Sequence, residues 1–149
     1  MPDQEWTDPY CPVARTVDLL GDRWSLLIVR DALEGVRRFS DFQRGLGIAR
    51  NILSDRLRSL LAAGIMAQRP NERGTRSEYV LTDRGRELFT VVAALRQWGE
   101  RHAFTPGEEH SVLLDTATGA PVPPVAVTGA HGGALDETNT HVRRVEPRG

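Results

Sequence analysis

Within residues 48–64, "IARNILSDRLRSLLAAG", two kinds of side chain alternate at helical spacing. Leu53, Leu57, Leu60 and Leu61 fall on one side and need a core. Arg50, Asn51, Ser54, Asp55 and Arg58 fall on the other. Those polar types suit the reading of nucleic-acid bases. Arginine pairs with guanine through two hydrogen bonds, asparagine with adenine, and an acid accepts from the cytosine amino group. Asp55 also stands where it could orient Arg58, and Arg56, next to Leu57, is placed to snorkel or to pair with an acid inside the protein. On an isolated helix the plain alternative, a solvated charged face, is the commoner one.

A helix that reads bases must be held rigidly by its apolar side. The flanking sequence supplies the elements for that. "CPVARTVDLLG" reads as a short helix with Pro12 at its first position, Gly21 at its end, and Val13, Val17 and Leu20 on one face. Asp22 caps "RWSLLIVRDALEG", which is apolar almost all round and so reads as a central buried helix. In "FSDFQRGLG", Ser40 and Gln43 fit a capping box, and Gly45 and Gly47 break the helix. The base-reading candidate follows, making a helix-turn-helix. "IMAQRPNERGTRSEYVLT" then changes to period two around a turn-forming tip, a β-hairpin that carries Arg69, Arg73 and Arg76. Thr82 is set to cap one long helix through "DRGRELFTVVAALRQWGERH", with a broad apolar stripe.

The expected fold is therefore mainly α with a small β-hairpin. It is a winged helix-turn-helix over residues 11–103, with a flexible arm at 1–10 and an extension at 104–149 of short strands or partial disorder. Trp6 and Tyr10 of the arm could dock on a neighbour. The hairpin would lie along a minor groove, and Ser40 and Arg44 of the supporting helix are further phosphate candidates.

The 149-residue chain carries a formal charge of −1, so its overall charge does not draw it to nucleic acid. The distribution does: residues 36–86 hold eleven arginines against Asp41, Asp55, Glu72, Glu78 and Asp83. Every basic residue is arginine and none is lysine, which fits phosphate and guanine recognition and equally a GC-rich genome. The single cysteine excludes an internal disulfide framework. The polar first residues lack a signal-peptide pattern, and "WSLLIV" is too short to span a bilayer, so a soluble cytoplasmic protein is expected, with no membrane partner. An enzyme is not expected: no histidine shares a motif with Cys11, and no phosphate loop or paired carboxylates stand out.

The run "CPV…LLGDRWSLLIVRDALEGVRRFSDFQRGLGIARNILSDRLRSLLAAGI…YVLTDRGREL…LRQWGERH" resembles the HxlR-type winged helix-turn-helix transcriptional regulators, relatives of the MarR group. The resemblance covers Cys11 to His102. It implies a bacterial homodimer on a palindromic operator, with double-stranded DNA as partner. The dimer would form from the first helix (13–20) and the last (83–102), placing Val17, Leu95 and Trp98 at the interface. The recognition helix would be 49–63 and the wing 69–76; Ala49 replaces the family's frequent serine at the helix start. Two such units related by a twofold reach half-sites roughly 34 Å apart. Some similar regulators sense oxidants through a cysteine just before the first helix, the place of Cys11, where helix N–H groups favour a thiolate. A small-molecule effector between the dimer helices and the core would be lined by Trp24, Phe89 and Trp98.

In some relatives the extension is a zinc-ribbon-like appendage. Here Thr118, Thr128 and His131 stand at the cysteine positions, and His102, His110, His131 and His141 are scattered, so neither metal nor cofactor is expected. The rival to DNA binding is a winged-helix module whose arginine face docks on an acidic protein.

Overall fold

The computed structural model describes residues 4–146. Six helices and one hairpin run in the order α1 (Pro12–Leu20), α2 (Arg23–Leu33), α3 (Phe39–Leu46), α4 (Arg50–Ala62), β1 (Met66–Pro70), β2 (Ser77–Leu81), α5 (Asp83–Arg86), α6 (Phe89–His102). The chain divides into two compact units after Phe89. The division therefore falls at the start of α6 rather than at residue 103.

In the first unit the leucine side of α4 is the centre of the core. Leu53, Leu57 and Leu60 are at most 1% exposed, and they join Ile28 and Val29 of α2, Phe42 of α3 and Met66 of β1. Completely burying side chains of this size stabilises by about 1.5–3 kcal/mol each. α2 is less enclosed than its composition suggests. Ile28, Val29 and the polar Ser25 and Asp31 are buried, while Trp24, Leu26 and Leu27 remain half-buried.

Caps fix where the helices begin. Cys11 caps α1, its Sγ accepting from the Ala14 amide at 3.4 Å. Asp22 caps α2, accepting from the Ser25 amide at 3.0 Å. The expected cap at Ser40 is a correction. α3 starts one residue earlier, at Phe39, with Arg38 at the cap position and no side-chain cap, so Ser40 lies inside the helix. Gly45 is also helical, and the chain turns at Gly47, whose φ of 62° is left-handed and favours glycine.

Residues 4–10 are not a free arm; residues 1–3 of that predicted arm lie outside the described part. The Thr7 amide and hydroxyl both donate to Asp18 of α1, at 2.9 and 2.8 Å. Trp6 lies under the Arg15 guanidinium at 4.7 Å. The arm thus docks on its own first helix.

The hairpin pairs Met66 with Leu81 through Pro70 with Ser77, antiparallel. Its tip is tightly bonded. The Asn71 amide donates to Arg76 O at 2.8 Å, and Asn71 Oδ1 accepts from the Thr75 amide at 3.0 Å. The Tyr79 amide of β2 donates to Arg37 O at 2.8 Å, which ties the α2–α3 connection to the hairpin.

The single long helix expected after Thr82 is interrupted. α5 is one turn, and the Leu88 amide bonds back three residues to Gly85 O instead of continuing the α ladder. The first turn is pinned elsewhere. Thr82 Oγ1 donates to Gly64 O at 2.6 Å, and a Cβ on Gly85 would stand 2.1 Å from Ile65 O.

In the second unit the extension is ordered through residue 146, not a loose tail. Two isolated antiparallel bridges, Leu114–Pro121 and Thr128–Ala134, close two small hairpin turns. Gln97 of α6 holds the segment between them, accepting from the Val125 amide at 2.6 Å and donating to Pro123 O at 3.0 Å.

Candidate nucleic-acid interface

The polar side of α4 is open. Arg50, Asn51, Asp55 and Arg58 are exposed and Ser54 is half-buried, while Leu53, Leu57 and Leu60 opposite are sealed and Leu61 is half-buried. The burial that anchors the helix and the exposure of its other side follow from the same 3.6-residue period.

Arg50 is not loose. Its guanidinium lies over the Phe39 ring at 5.1 Å, which aims the side chain across the start of α3. Together with Arg38, Ser40, Asn71 and Arg76 these two residues line a cleft of about 230 Å³. Three elements meet there: the starts of α3 and α4 and the root of the hairpin tip. Neither helix has a side-chain cap hydrogen bond. Amides at the start of a helix then remain available to an anion, and the helix dipole favours one. Glu78 also lines the cleft, with the Arg37 guanidinium 3.8 Å away.

Arg38, Arg73 and Arg76 are exposed and form no ion pair among the described residues. Arg38 was not singled out in the sequence. Its signal was available in the "VRRFS" run beside the supporting helix, but Ser40 read as the cap and drew the boundary past it. Arg44, by contrast, is paired with Asp41 one turn earlier. Arg69 stands near the tip end of β1, opposite Glu78, and does not line this cleft.

The one acid of α4, Asp55, is engaged within the protein. Asp55 pairs with Arg56 at 3.0 Å and stands 3.9 Å from Arg58. Arg56 also reaches Asp22, with Nε and Oδ2 at 3.1 Å. That contact ties the middle of α4 to the cap of α2 and fixes how the polar side is presented. Burial pushes the Asp22 carboxyl up, but hydrogen bonds from Ser25 and then the Arg56 charge outweigh it, so its pKa lies below the usual value.

Val17, Leu95 and Trp98 are exposed at 58%, 52% and 60%. Cys11 is half-exposed at the head of α1. Among the described residues no group of three His, Cys, Asp or Glu is arranged to hold a metal ion, and no helix is long and apolar enough to cross a membrane.

An amphipathic helix set by a preceding helix and turn, with an arginine-bearing two-stranded hairpin beside it, defines the winged helix-turn-helix class. Residues 19–106 match the HxlR-like helix-turn-helix family, and the chain belongs to it. It is 45% identical over 95 residues to the uncharacterized HTH-type transcriptional regulator Rv3095 of Mycobacterium tuberculosis, covering 63% of this chain and 60% of that one. The match thus spans about three fifths of that relative's length. Among solved structures, PA1607, a proposed transcription factor, superposes with a TM-score of 0.89 at 48% identity over 93% of this chain and 97% of its own. The oxidized redox regulator HypR superposes at 0.58 with 32% identity, covering 64% of this chain and all of its own (100%).

Proposed function

We propose that this protein is a transcriptional regulator that binds double-stranded DNA as a homodimer on a palindromic operator. The observation that carries the reading is the cleft where Arg38, Arg50 and Arg76 converge on two helix starts without side-chain caps, beside the open polar side of α4. A backbone phosphate at the cleft would fix register. Arg50, Asn51, Ser54 and Arg58 would then face base edges in the major groove, with Asp55 orienting Arg58 or accepting from cytosine. Arg73 and Arg76 would follow the adjoining backbone, and Ser40 and Arg44 would flank it. Each phosphate neutralised steepens the salt dependence by roughly 0.9 in log–log slope.

Val17, Leu95 and Trp98 supply exposed apolar surface for the twofold. The test is enrichment of bound genomic fragments with purified protein, followed by titration of the recovered duplex. A palindrome with half-sites one turn apart supports the reading. An acidic protein partner bound in place of any duplex would support the rival interaction module.

Redox control through Cys11 is the second part of the reading, supported by the likeness to HypR and by the place of the thiol at the head of α1. An oxidised Cys11 would bond to its counterpart or to a small thiol and change the half-site spacing. Operator release by oxidant should disappear in Cys11→Ser; release that persists would exclude this sensor.

A further inference from the structure

A second cleft of the first unit, of about 380 Å³, lies between the end of α2 and the base of the hairpin. Its size is that of small-molecule sites. Leu33 and Leu81 contribute aliphatic wall, Tyr79 an aromatic one, and Arg37, Arg69 and Arg86 three guanidiniums. No acidic residue lines it. Arg86 is bonded to Asp83 and to Leu81 O, and Arg37 has Glu78 at a long 3.8 Å. Arg69 faces Glu78 across the ladder, but its guanidinium forms no hydrogen bond or ion pair among the described residues.

We propose that this cleft binds a small amphipathic carboxylate, one anionic head on a compact ring or branched body, and that its occupation weakens duplex binding. The head pairs with Arg69 and Arg37, and the body lies on Leu33 and Leu81. A DNA phosphate is the poorer occupant. The cleft shares no residue with the one at the starts of α3 and α4, and aliphatic wall offers a phosphate nothing.

The coupling follows from what the walls are. The Tyr79–Arg37 backbone bond and the Arg37–Glu78 pair join the α2 end to the hairpin that carries Arg73 and Arg76. A carboxylate competes with Glu78 for Arg37 and so alters that tether. This second clause rests on the DNA-binding reading above, and by linkage duplex must weaken the ligand by the same factor.

The test is an amide NMR titration of the whole chain, without DNA, using benzoate, the neutral benzamide and inorganic phosphate as probes. Saturable shifts at residues 35–37, 69 and 79–81 with benzoate alone are expected. Arg69→Gln should weaken benzoate about tenfold, as loss of one charged hydrogen bond does. Arg73→Gln should leave benzoate affinity unchanged and so controls for general charge. Equal binding of benzamide, equal shifts with phosphate, or shifts elsewhere would each overturn the site. In a parallel duplex titration, benzoate that binds the protein without loosening duplex would overturn the coupling. Absence of any duplex binding would sink the DNA reading while the NMR result stands by itself.

Discussion

At the scale of single residues, Arg50 and Asp22 carry the sharpest predictions for the proposed interface. Arg50 is aimed by Phe39 and has no acid to neutralise it, so Arg50→Ala should cost about 1–3 kcal/mol of discrimination at one base pair. Competition titration with duplexes altered at each position reads that loss, and uniform weakening across all sequences would reassign Arg50 to phosphate. Asp22 caps α2 and pairs with Arg56, and its folded pKa lies below the ordinary 3.8. The sign follows from linkage. The carboxylate contributes stability above its unfolded pKa, and that contribution is lost as pH falls through the lower folded value. Asp22→Asn should therefore be less stable than wild type at neutral pH, with the gap closing below pH 3.8, measured as urea midpoints across pH. Ala49 begins α4 without a side-chain cap, and Ala49→Ser should add about 1 kcal/mol of stability, read as a higher urea midpoint.

At the scale of elements, the legible features were those written in hydrophobic period. The leucine side of α4, the switch to period two at the hairpin and the cap at Asp22 each leave a local signature, and each element stands where its signature falls. What was not legible depends on distant partners. The helix after Thr82 breaks at Leu88 because its first turn is held against Gly64 and Ile65, strands away in sequence. The extension, expected as short strands or partial disorder, has the Leu114–Pro121 and Thr128–Ala134 bridges, and the polar bonds that hold it, such as Asp115 Oδ1 accepting from the Ala117 amide at 2.8 Å and the Gln97 clamp, leave no mark on the hydrophobic pattern. Of the proposed interface, the α4 residues and the hairpin arginines came from the sequence, whereas Arg38 and the uncapped start of α3 required the true helix boundary. Gly85 gives the element-scale prediction. With Ile65 O in the place of its Cβ, Gly85→Ala should lower stability by roughly 1–3 kcal/mol through overpacking, read by thermal melts. An unchanged melting temperature would mean that α5 can shift off the strand.

At the scale of the molecule, the proposed twofold makes two demands of one chain. The exposed apolar residues Val17, Leu95 and Trp98 must be covered by a second copy, and two copies of α4 must reach one face of a duplex. Leu95→Glu with Trp98→Glu should yield monomers by sedimentation equilibrium and lower operator affinity far more than half-site affinity. A folded double variant that remains dimeric would move the interface elsewhere.

The most direct measurement is fluorescence anisotropy of the purified protein with the enriched duplex and with a scrambled duplex of the same length, at two salt concentrations. Binding to the enriched duplex at least about a thousandfold tighter at physiological salt, with affinity for both duplexes falling as salt rises, is the predicted result. Equal affinity for the two duplexes, or none for either at low salt, would contradict it.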